Sequence, residues 1–404
     1  MDWYYYIALL LILSQFVFGI HAYSNYRYVL AKYKRKRTEY RPRTVLIVPC
    51  KGLDAAFHEN IASFYNQDYE NYLLWFVVVN QSDPAYEQLC SLKNQLCRSS
   101  KAQDVQVFVA GHGQLGTCSQ KIHNLLYCYS KIGDDIETLA FADSDICVRT
   151  DWLSHIVYPL RQPKNGAATG YRWFIPKKNN LATLALSAVN AKVAQLLGNT
   201  PFNQAWGGSM AVRVDVFRRL GLDKIWPKTL SDDLSLSYAV KKAGLKIVFV
   251  PACLVASNES TTWSELFEFG RRQFLITRVS APKTWWFGLS SSLYSILGLW
   301  AGAVLAVYAA KIGDKNLPIF VAVPVLFFAG QLFRAVLRQL MIGKLLAKDR
   351  RKLRAAMAAD ILFFWIWTLL QLVFIVSSAF GRTIKWRGIR YKLLGPTETI
   401  VVAD

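Results

Sequence analysis

Residues 138–148 read TLAFADSDICV, a short apolar run that leads directly into two aspartates one residue apart. Three similar apolar runs precede it: TVLIVP (44–49), LLWFVVV (73–79) and VQVFVA (105–110). Runs of this length, separated by segments of helical length and pattern, are typical of strands buried on both faces of a parallel sheet. The sequence therefore predicts an α/β domain with a doubly wound, mostly parallel sheet and right-handed crossovers.

Long uncharged stretches lie on both sides of this domain. The first covers residues 3–26, and three more cover 284–310, 316–333 and 361–381. A helix needs about 20 apolar residues to cross the hydrocarbon core of a bilayer. We therefore predict an N-terminal transmembrane anchor (1–30), an α/β domain (44–283), a C-terminal membrane region of three apolar spans (284–381) and a basic tail (382–404). These stretches exclude an ordinary soluble enzyme and a disordered chain.

Positive charge is concentrated beside the apolar stretches. The chain has 48 Lys and Arg against 27 Asp and Glu, a net charge of +21, and most of the excess lies in 27–43, 334–354 and 382–392. This placement favours anionic lipid headgroups as partners, and it argues against nucleic acid, which would need a basic patch on the folded domain. We expect a multi-pass membrane protein with a cytoplasmic catalytic domain, in the inner membrane if the source is bacterial.

These rules do not decide on which side of the membrane the basic tail lies. Three spans after a cytoplasmic domain would place the tail outside, whereas its positive charge favours the cytoplasm. Either one apolar run is re-entrant or interfacial, or the charge rule fails here. A further helix with a single charge, 181–202, is expected either in the domain core or in the membrane interface.

The pair Asp143 and Asp145 is the strongest candidate for chemistry. Two carboxylates at the carboxyl end of a buried strand suit Mg2+ or Mn2+ together with phosphate oxygens. Aspartate and serine are also common in turns and helix caps, which is the alternative interpretation.

A second acidic pair, Asp232 and Asp233, lies in LSDDL (230–234) and opens a helical segment. One of these aspartates is a candidate general base toward an acceptor hydroxyl, while the pattern by itself favours an N-cap. The segment WGGSM (206–210) has two glycines, Gly207 and Gly208, that would allow a ligand close to the backbone or form a turn.

A group of arginines, with one glutamine and one phenylalanine, precedes the second membrane stretch: Arg271, Arg272, Gln273, Phe274 and Arg278. They would form a pyrophosphate or acceptor clamp, or they are the positive flank of a membrane span.

In order along the chain, these segments resemble the membrane-anchored GT-A glycosyltransferases, and most of all the ceramide glucosyltransferase group and its bacterial relatives. The resemblance is carried by PCKGLD (49–54), SFYNQDYENY (63–72), NQSDPA (80–85), QKIHNLL (120–126), FADSDICV (141–148), WGGSMAVR (206–213), LSDDLSLS (230–237) and IKWRGIRYKL (384–393). It extends over nearly the whole chain and implies a GT-A nucleotide-sugar domain inserted between transmembrane helices.

The resemblance also implies a reaction, the inverting transfer of a sugar from UDP-glucose or a close analogue to a lipid hydroxyl. By this analogy Asp143 and Asp145 hold the diphosphate and a metal ion, and Asp233 takes the acceptor proton with Asp232 assisting. The residues expected around the donor are Lys51, Asn80, Asp83, Lys121, Asp143, Gly207 and Gly208.

Two positions depart from the family pattern. Asn80 stands where an aspartate usually contacts the nucleobase, with Asp83 three residues further on. Gln273 and Phe274 stand where Arg and Trp are usual, and Arg271 or Arg272 would supply the charge instead. The donor base and the acceptor lipid, ceramide in particular, therefore stay open. Two other hypotheses remain: a processive polysaccharide synthase with the same catalytic fold, and a catalytically silent membrane scaffold.

Overall fold

The computed structural model describes residues 2–35, 37, 39–54, 56–113, 118–386 and 389–402. Its centre is a seven-stranded sheet inside the domain predicted from the apolar runs. The strands are β1 Thr44–Pro49, β2 Tyr72–Val78, β3 Asp104–Val109, β4 Thr138–Ala142, β5 Asn165–Pro176, β6 Ser209–Arg213 and β7 Lys246–Glu259. Four of them coincide, within one residue at each end, with the four apolar runs.

The sheet has the order β3-β2-β1-β4-β6-β5-β7. Neighbouring strands are parallel except where β6 inserts antiparallel between β4 and β5. The predicted α/β class with a mostly parallel sheet is thus confirmed. Because β1, β2 and β4 run in the same direction, the loops that follow them meet at one edge, where ligands of such sheets bind.

Helices cover both faces of the sheet and continue into the apolar regions. They are α1 Asp2–Tyr33, α2 Phe57–Tyr65, α3 Pro84–Leu96, α4 Gln120–Tyr129, α5 Trp152–Val157, α6 Leu181–Ala194, α7 Val214–Arg219, α8 Leu222–Ile225, α9 Asp232–Lys242, α10 Trp263–Ser280, α11 Pro282–Ile296, α12 Gly302–Lys311, α13 Leu317–Leu345, α14 Arg350–Leu362 and α15 Phe364–Ser377.

The domain has one hydrophobic core on each face of the sheet. Phe64, Tyr72 and Trp152 lie in one core, and Phe217 and Trp226 lie in the other. Burial of a large apolar side chain contributes about 1.5–3 kcal/mol. The two cores therefore hold the strands rigidly and fix the position of the loops at the strand ends.

Three helical stretches are long and apolar enough to cross a membrane, counted over the described residues: Tyr4–Tyr33, Pro282–Lys311 and Leu317–Leu345. The third apolar run after the domain behaves differently. Most of it forms α15, which meets the preceding helix, Ala347–Leu362, at a bend of 85°. That pair is either one broken span or a re-entrant segment.

Helix α6 lies inside the protein, against β5 on one side and α14 and α15 on the other. Most of its residues are buried, including Leu184, Ala185 and Ala188. Of the two interpretations of this segment, the structure supports a packed helix rather than one exposed along the membrane interface.

The basic tail forms a small antiparallel sheet of β8 Thr383–Trp386, β9 Ile389–Gly395 and β10 Glu398–Val402. Its buried side chains Ile384, Tyr391 and Leu393 pack on Leu230 and on Leu275 of α10. Since Leu230 lies two residues before Asp232, the tail is attached to the domain close to Asp232 and Asp233.

Candidate active site

The acidic loop after β4 is held beside the double-glycine turn by the antiparallel pairing of β4 with β6. The pairing ends with Ala142 opposite Ser209. The backbone N–H of Asp143 then donates to the carbonyl of Gly208 at 3.3 Å. Two segments that lie about 65 residues apart in the sequence therefore form one wall of the candidate site.

Lys121, in the first turn of α4, joins the two acidic pairs. Its Nζ lies 2.8 Å from Oδ1 of Asp143 and 3.0 Å from Oδ2 of Asp232. Burial tends to lower the pKa of Lys121, but these carboxylates outweigh it and raise the pKa. Lys121 therefore stays charged and holds Asp143 and Asp232 together in spite of their mutual repulsion.

Asp145 has a side-chain oxygen without a hydrogen bond, as is expected of a metal ligand. Its Oδ1 is buried without a hydrogen-bond partner among the described residues. Burial, and then the charge of Asp143, raise its pKa to about 6, while Arg172 acts in the opposite direction. A divalent cation would satisfy this oxygen and remove the cost of its charge.

The described residues contain no group of three or more His, Cys, Asp or Glu that could hold a metal ion. Asp143 and Asp145 would therefore provide only part of a coordination shell. Mg2+ typically binds to one or two carboxylates and completes its shell with water and substrate phosphates, so the pair fits that kind of site.

The second acidic pair lies in the first turn of α9, but the N-cap of that helix is Ser231, whose Oγ accepts from the N–H of Leu234 at 3.2 Å. Asp233 Oδ2 accepts from the N–H of Gly207 at 3.0 Å, and its Oδ1 accepts from Leu234 at 2.7 Å and from the Ser231 hydroxyl. The pair is thus more than a cap, because Asp233 reaches the double-glycine turn.

The two aspartates have different surroundings. Asp232 is buried, and its side chain is only 8% exposed where it meets Lys121. Burial raises the pKa of Asp232 to about 6, although Lys121 lowers it. Asp233 is only partly buried. Of the two, Asp233 keeps more access for an incoming group.

The double-glycine turn leaves no room for a side chain. A Cβ on Gly207 would lie 2.5 Å from Oδ2 of Asp232 and 2.8 Å from Nζ of Lys121. A Cβ on Gly208 would lie 2.7 Å from Asp143 Oδ2 and closer still to the Trp206 ring. Glycine at both positions is required by close packing against the charged cluster.

One cationic and one aromatic side chain, those of Arg172 and Tyr171, lie near this cluster, and the sequence alone does not indicate their position. Arg172 of β5 stacks over Trp206 at 5.2 Å from the ring centroid. Burial raises the pKa of the neighbouring Tyr171 to about 12, and the charge of Asp233 acts in the same direction. The long β5 to β7 pairing, with its irregular register, carries these residues to the site, and no local motif indicates that pairing.

The loops after β1 and β2 are tied together by Asp83. Its Oδ1 accepts from the N–H of Gly52 at 2.8 Å and from the N–H of Ala85 at 2.9 Å, so it caps α3. Asn80 accepts from the Ser82 hydroxyl at 2.8 Å, and Lys51 is exposed beside Gly52. Three residues on these loops, Lys51, Asn80 and Asp83, are predicted to bind the nucleotide-sugar donor. Of these, Asp83 has a structural role in the arrangement observed here.

The candidate clamp residues lie on α10, and their contacts are spread over different neighbours. Arg271 donates to the carbonyl of Phe380 at 3.1 Å, and Arg278 donates to the carbonyls of Ala379 and Gly381. Arg272 lies over the ring of Phe269. Phe274 packs in the apolar cluster that includes Trp367 and Phe374, and Gln273 is exposed. In this arrangement Arg271 and Arg278 hold the connection between α15 and the tail.

Two solved structures of glycosyltransferases are similar to this chain. The structure of mannosyltransferase PcManGT from Pyrobaculum calidifontis, in complex with GDP-Man and Mn2+, matches 93% of this chain and 97% of its own chain, at 17% identity and a TM-score of 0.45. The structure of GalNAc-T7 with UDP, GalNAc and Mn2+ matches 59% of this chain and 51% of its own, at 13% identity and a TM-score of 0.37.

A family model for glycosyl transferase family 21 matches residues 8–398. The match includes the first apolar helix, the whole α/β domain, the C-terminal helices and most of the tail sheet. The resemblance to the ceramide glucosyltransferase group is thus confirmed. Because this match covers nearly the whole sequence, the chain belongs to glycosyl transferase family 21.

Proposed function

We propose that this glycosyltransferase moves a sugar, glucose from UDP-glucose or a close analogue, onto the hydroxyl group of a membrane lipid, ceramide-like or other. Family membership supports glycosyl transfer as the reaction. The apolar helices on both sides of the catalytic domain support a lipid as the acceptor, because they would hold the site next to the bilayer.

The observation that carries the proposal is the convergence of both acidic pairs on Lys121 and the double-glycine turn. Lys121 contacts Asp143 and Asp232, and Gly207 contacts Asp233. A nucleotide-sugar transferase needs a place for a diphosphate and a base for the acceptor within a few ångströms, and this cluster offers both.

On the donor side, Asp143 and Asp145 would hold Mg2+ or Mn2+, which would neutralise charge on the departing diphosphate. Lys121 would add a second positive charge facing the diphosphate. The missing side chains of Gly207 and Gly208 would let the donor approach the backbone. Lys51 and Asn80, on the neighbouring loops, are the candidates for contacts with the nucleoside.

On the acceptor side, Asp233 would take the proton of the lipid hydroxyl as the oxygen bonds to C1 of the sugar. The bond from C1 to the diphosphate oxygen breaks on the opposite face, so the configuration at C1 is inverted. The hydrogen bonds from Gly207 and Leu234 would orient the Asp233 carboxylate. Asp232 would assist by holding Lys121 in place.

The membrane arrangement proposed here puts the domain (44–283) and the tail (382–404) on the cytoplasmic side. Packing of Tyr391 against Leu275 supports a common side for both. That requires an even number of crossings between them, which Pro282–Lys311 and Leu317–Leu345 supply. The bent pair α14–α15 would then be re-entrant, and the basic segments would face anionic headgroups. In a bacterium this would be the inner membrane.

The test is to incubate the full-length protein in nanodiscs with labelled UDP-sugars and separate the products. Label in an organic-extractable lipid is expected. Label in a polymer would instead indicate a processive synthase. No turnover with any UDP-sugar, by a protein that melts cooperatively and binds UDP, would contradict the proposal and favour a silent scaffold.

A further inference from the structure

A cavity that is lined by both apolar and charged side chains lies among the apolar helices, away from the aspartate cluster. It has a volume of about 140 Å³ and is enclosed by α1, α6, α11, α13 and α15. Its polar lining includes Lys192, Gln195, Arg334, Arg338, Thr368 and Gln371. None of Asp143, Asp145, Asp232 and Asp233 lines it, so it is separate from the candidate active site.

One cation of this cavity is fully neutralised. Arg338 forms a two-pronged ion pair with Asp360, with Nε to Oδ2 at 2.6 Å and Nη2 to Oδ1 at 2.5 Å. Gln339 donates to the same carboxylate at 2.5 Å. Asp360 is completely buried, and its charge is balanced by Arg338.

The other two basic side chains of the cavity have no such partner. Nζ of Lys192 donates to the Thr368 hydroxyl at 2.6 Å, and Arg334 donates to Oε1 of Gln15 at 3.1 Å. In the part of the chain that the structure describes, neither Lys192 nor Arg334 forms an ion pair with a carboxylate. Charged residues among membrane helices are expensive and usually mark a binding site or a pathway.

A neutral group at the cavity is also unsatisfied. Oε1 of Gln371 is buried and has no hydrogen-bond partner among the described residues. This acceptor lies in the same lining as Lys192 and Arg334. A ligand that carries both an anionic phosphate and a hydroxyl donor would satisfy all three groups.

The cavity can be reached from the lipid side. His21 and Leu196 belong to its lining and are exposed on the surface. Beside His21, α1 presents a strongly exposed apolar surface at Phe16, Val17 and Ile20. Acyl chains would lie along this surface while a headgroup enters the cavity. The volume far exceeds the ~10–15 Å³ needed by one water, and it suits a headgroup rather than a whole lipid.

We propose that this cavity binds the phosphate headgroup of an anionic, hydroxyl-bearing membrane lipid, between Lys192, Arg334 and Gln371. Basic pockets between transmembrane helices are a known way to recognise such headgroups. This lipid is distinct from the acceptor, and its binding does not depend on the glycosyl transfer proposed above.

The experiment measures lipid retention by the full-length protein with native mass spectrometry. Phosphatidylglycerol and phosphatidylcholine with identical acyl chains are titrated separately, and inorganic phosphate is tested as a competitor. We expect wild-type protein to bind phosphatidylglycerol at least ~10-fold more tightly, because two charge-assisted contacts depend on its net negative charge. Binding of inorganic phosphate without a preference for phosphatidylglycerol would overturn the lipid assignment.

Variants test the named residues. In Lys192→Gln/Arg334→Gln the preference for phosphatidylglycerol should disappear. Gln371→Glu, nearly isosteric, should abolish it by placing a negative charge in the cavity. The matched control Arg351→Gln removes an exposed cation outside the lining and should keep the preference. An unchanged preference in Gln371→Glu, or in a folded double variant, would overturn the proposal.

Discussion

In the described part of the chain, two clusters of charged side chains have an excess of opposite sign. Around the loop after β4 and the first turn of α9, the four carboxylates of Asp143, Asp145, Asp232 and Asp233 lie near the cations Lys121 and Arg172. Among the apolar helices, the three basic side chains of Lys192, Arg334 and Arg338 line a cavity next to one carboxylate, Asp360.

Unbalanced charge in a folded interior is costly, because its desolvation is not repaid by a partner. The excess of carboxylates in the first cluster therefore favours the proposed divalent cation, and the excess of basic side chains among the helices favours the proposed anionic headgroup. The imbalance of charge thus supports two proposals, a divalent cation with a nucleotide at one cluster and a lipid phosphate at the other.

The largest effect is expected from Asp233→Asn. An amide cannot take the acceptor proton, so the rate should fall by about 10²–10⁴. Asparagine keeps most of the hydrogen bonding to the first turn of α9, so the melting temperature and UDP binding should change little. The measurement is single-turnover transfer by the full-length protein.

Asp232→Asn is the matched control for that experiment. It removes the neighbouring charge and weakens the contact with Lys121 but leaves the proposed base in place. Near-parental turnover by Asp233→Asn together with an inactive Asp232→Asn would reverse the two roles. If both variants stay active, the base lies elsewhere.

Gly207→Ala should act through the charged cluster. Its Cβ would push Asp232 and Lys121 apart, and overpacking of this kind costs about 1–3 kcal/mol. If this free energy destabilises the complex with the nucleotide-sugar donor, kcat/KM should fall by roughly 10–100-fold. The control is Gly395→Ala, whose Cβ would have nothing within 4 Å. Equal activity of both variants would contradict the packing described here.

Stability without divalent cations should depend on Asp145. Its pKa is about 6 in the folded protein, against about 3.9 in an unfolded chain, so the folded state binds more protons between those values. The contribution of Asp145 to stability is therefore most favourable below about pH 4, and about 1–3 kcal/mol of it is lost as the pH rises to about 6.

Thermal melting in EDTA at pH 4.5 and pH 7 measures this difference. The difference in stability between the two pH values should be smaller in Asp145→Asn than in wild type. Part of the difference that remains is due to Asp232, whose pKa is raised in the same way. Asp134→Asn, at a fully exposed side chain, should leave it unchanged. An equal difference in Asp145→Asn and wild type would refute the assigned pKa.

Arg278→Gln should have the smallest effect. It removes the hydrogen bonds to the carbonyls of Ala379 and Gly381, worth about 1 kcal/mol on a partly exposed surface. Faster proteolysis of the tail with nearly normal donor binding is expected. A large loss of UDP binding would instead favour the clamp role predicted from the sequence.

The four apolar strands and the acidic motif after β4 could be predicted because their signals are local. The length and apolar composition of runs such as TLAFA (138–142) indicate buried strands, and a parallel sheet brings the ends of these strands to one edge. The predicted fold class rests on these runs, and the structure agrees with them.

The remaining features depend on contacts between distant segments. Arg172 reaches the site through the pairing of β5 with β7, whose register shifts twice. No local sequence pattern shows that Asp83 accepts a hydrogen bond from Gly52, or that Arg338 of one helix contacts Asp360 of another. Such positions are decided by packing, and a one-dimensional pattern does not contain them.

The most direct test of the carboxylate cluster as a metal site is Mn2+ binding to the full-length protein, followed by electron paramagnetic resonance in the presence and absence of UDP. We expect UDP to strengthen the binding of one Mn2+ per chain. In Asp145→Asn the affinity should fall by roughly 10–100-fold, while Lys192→Gln/Arg334→Gln should bind Mn2+ as wild type does. Mn2+ binding that is unchanged in Asp145→Asn, or full transferase activity in EDTA, would contradict the assignment of a cation to the carboxylate-rich cluster.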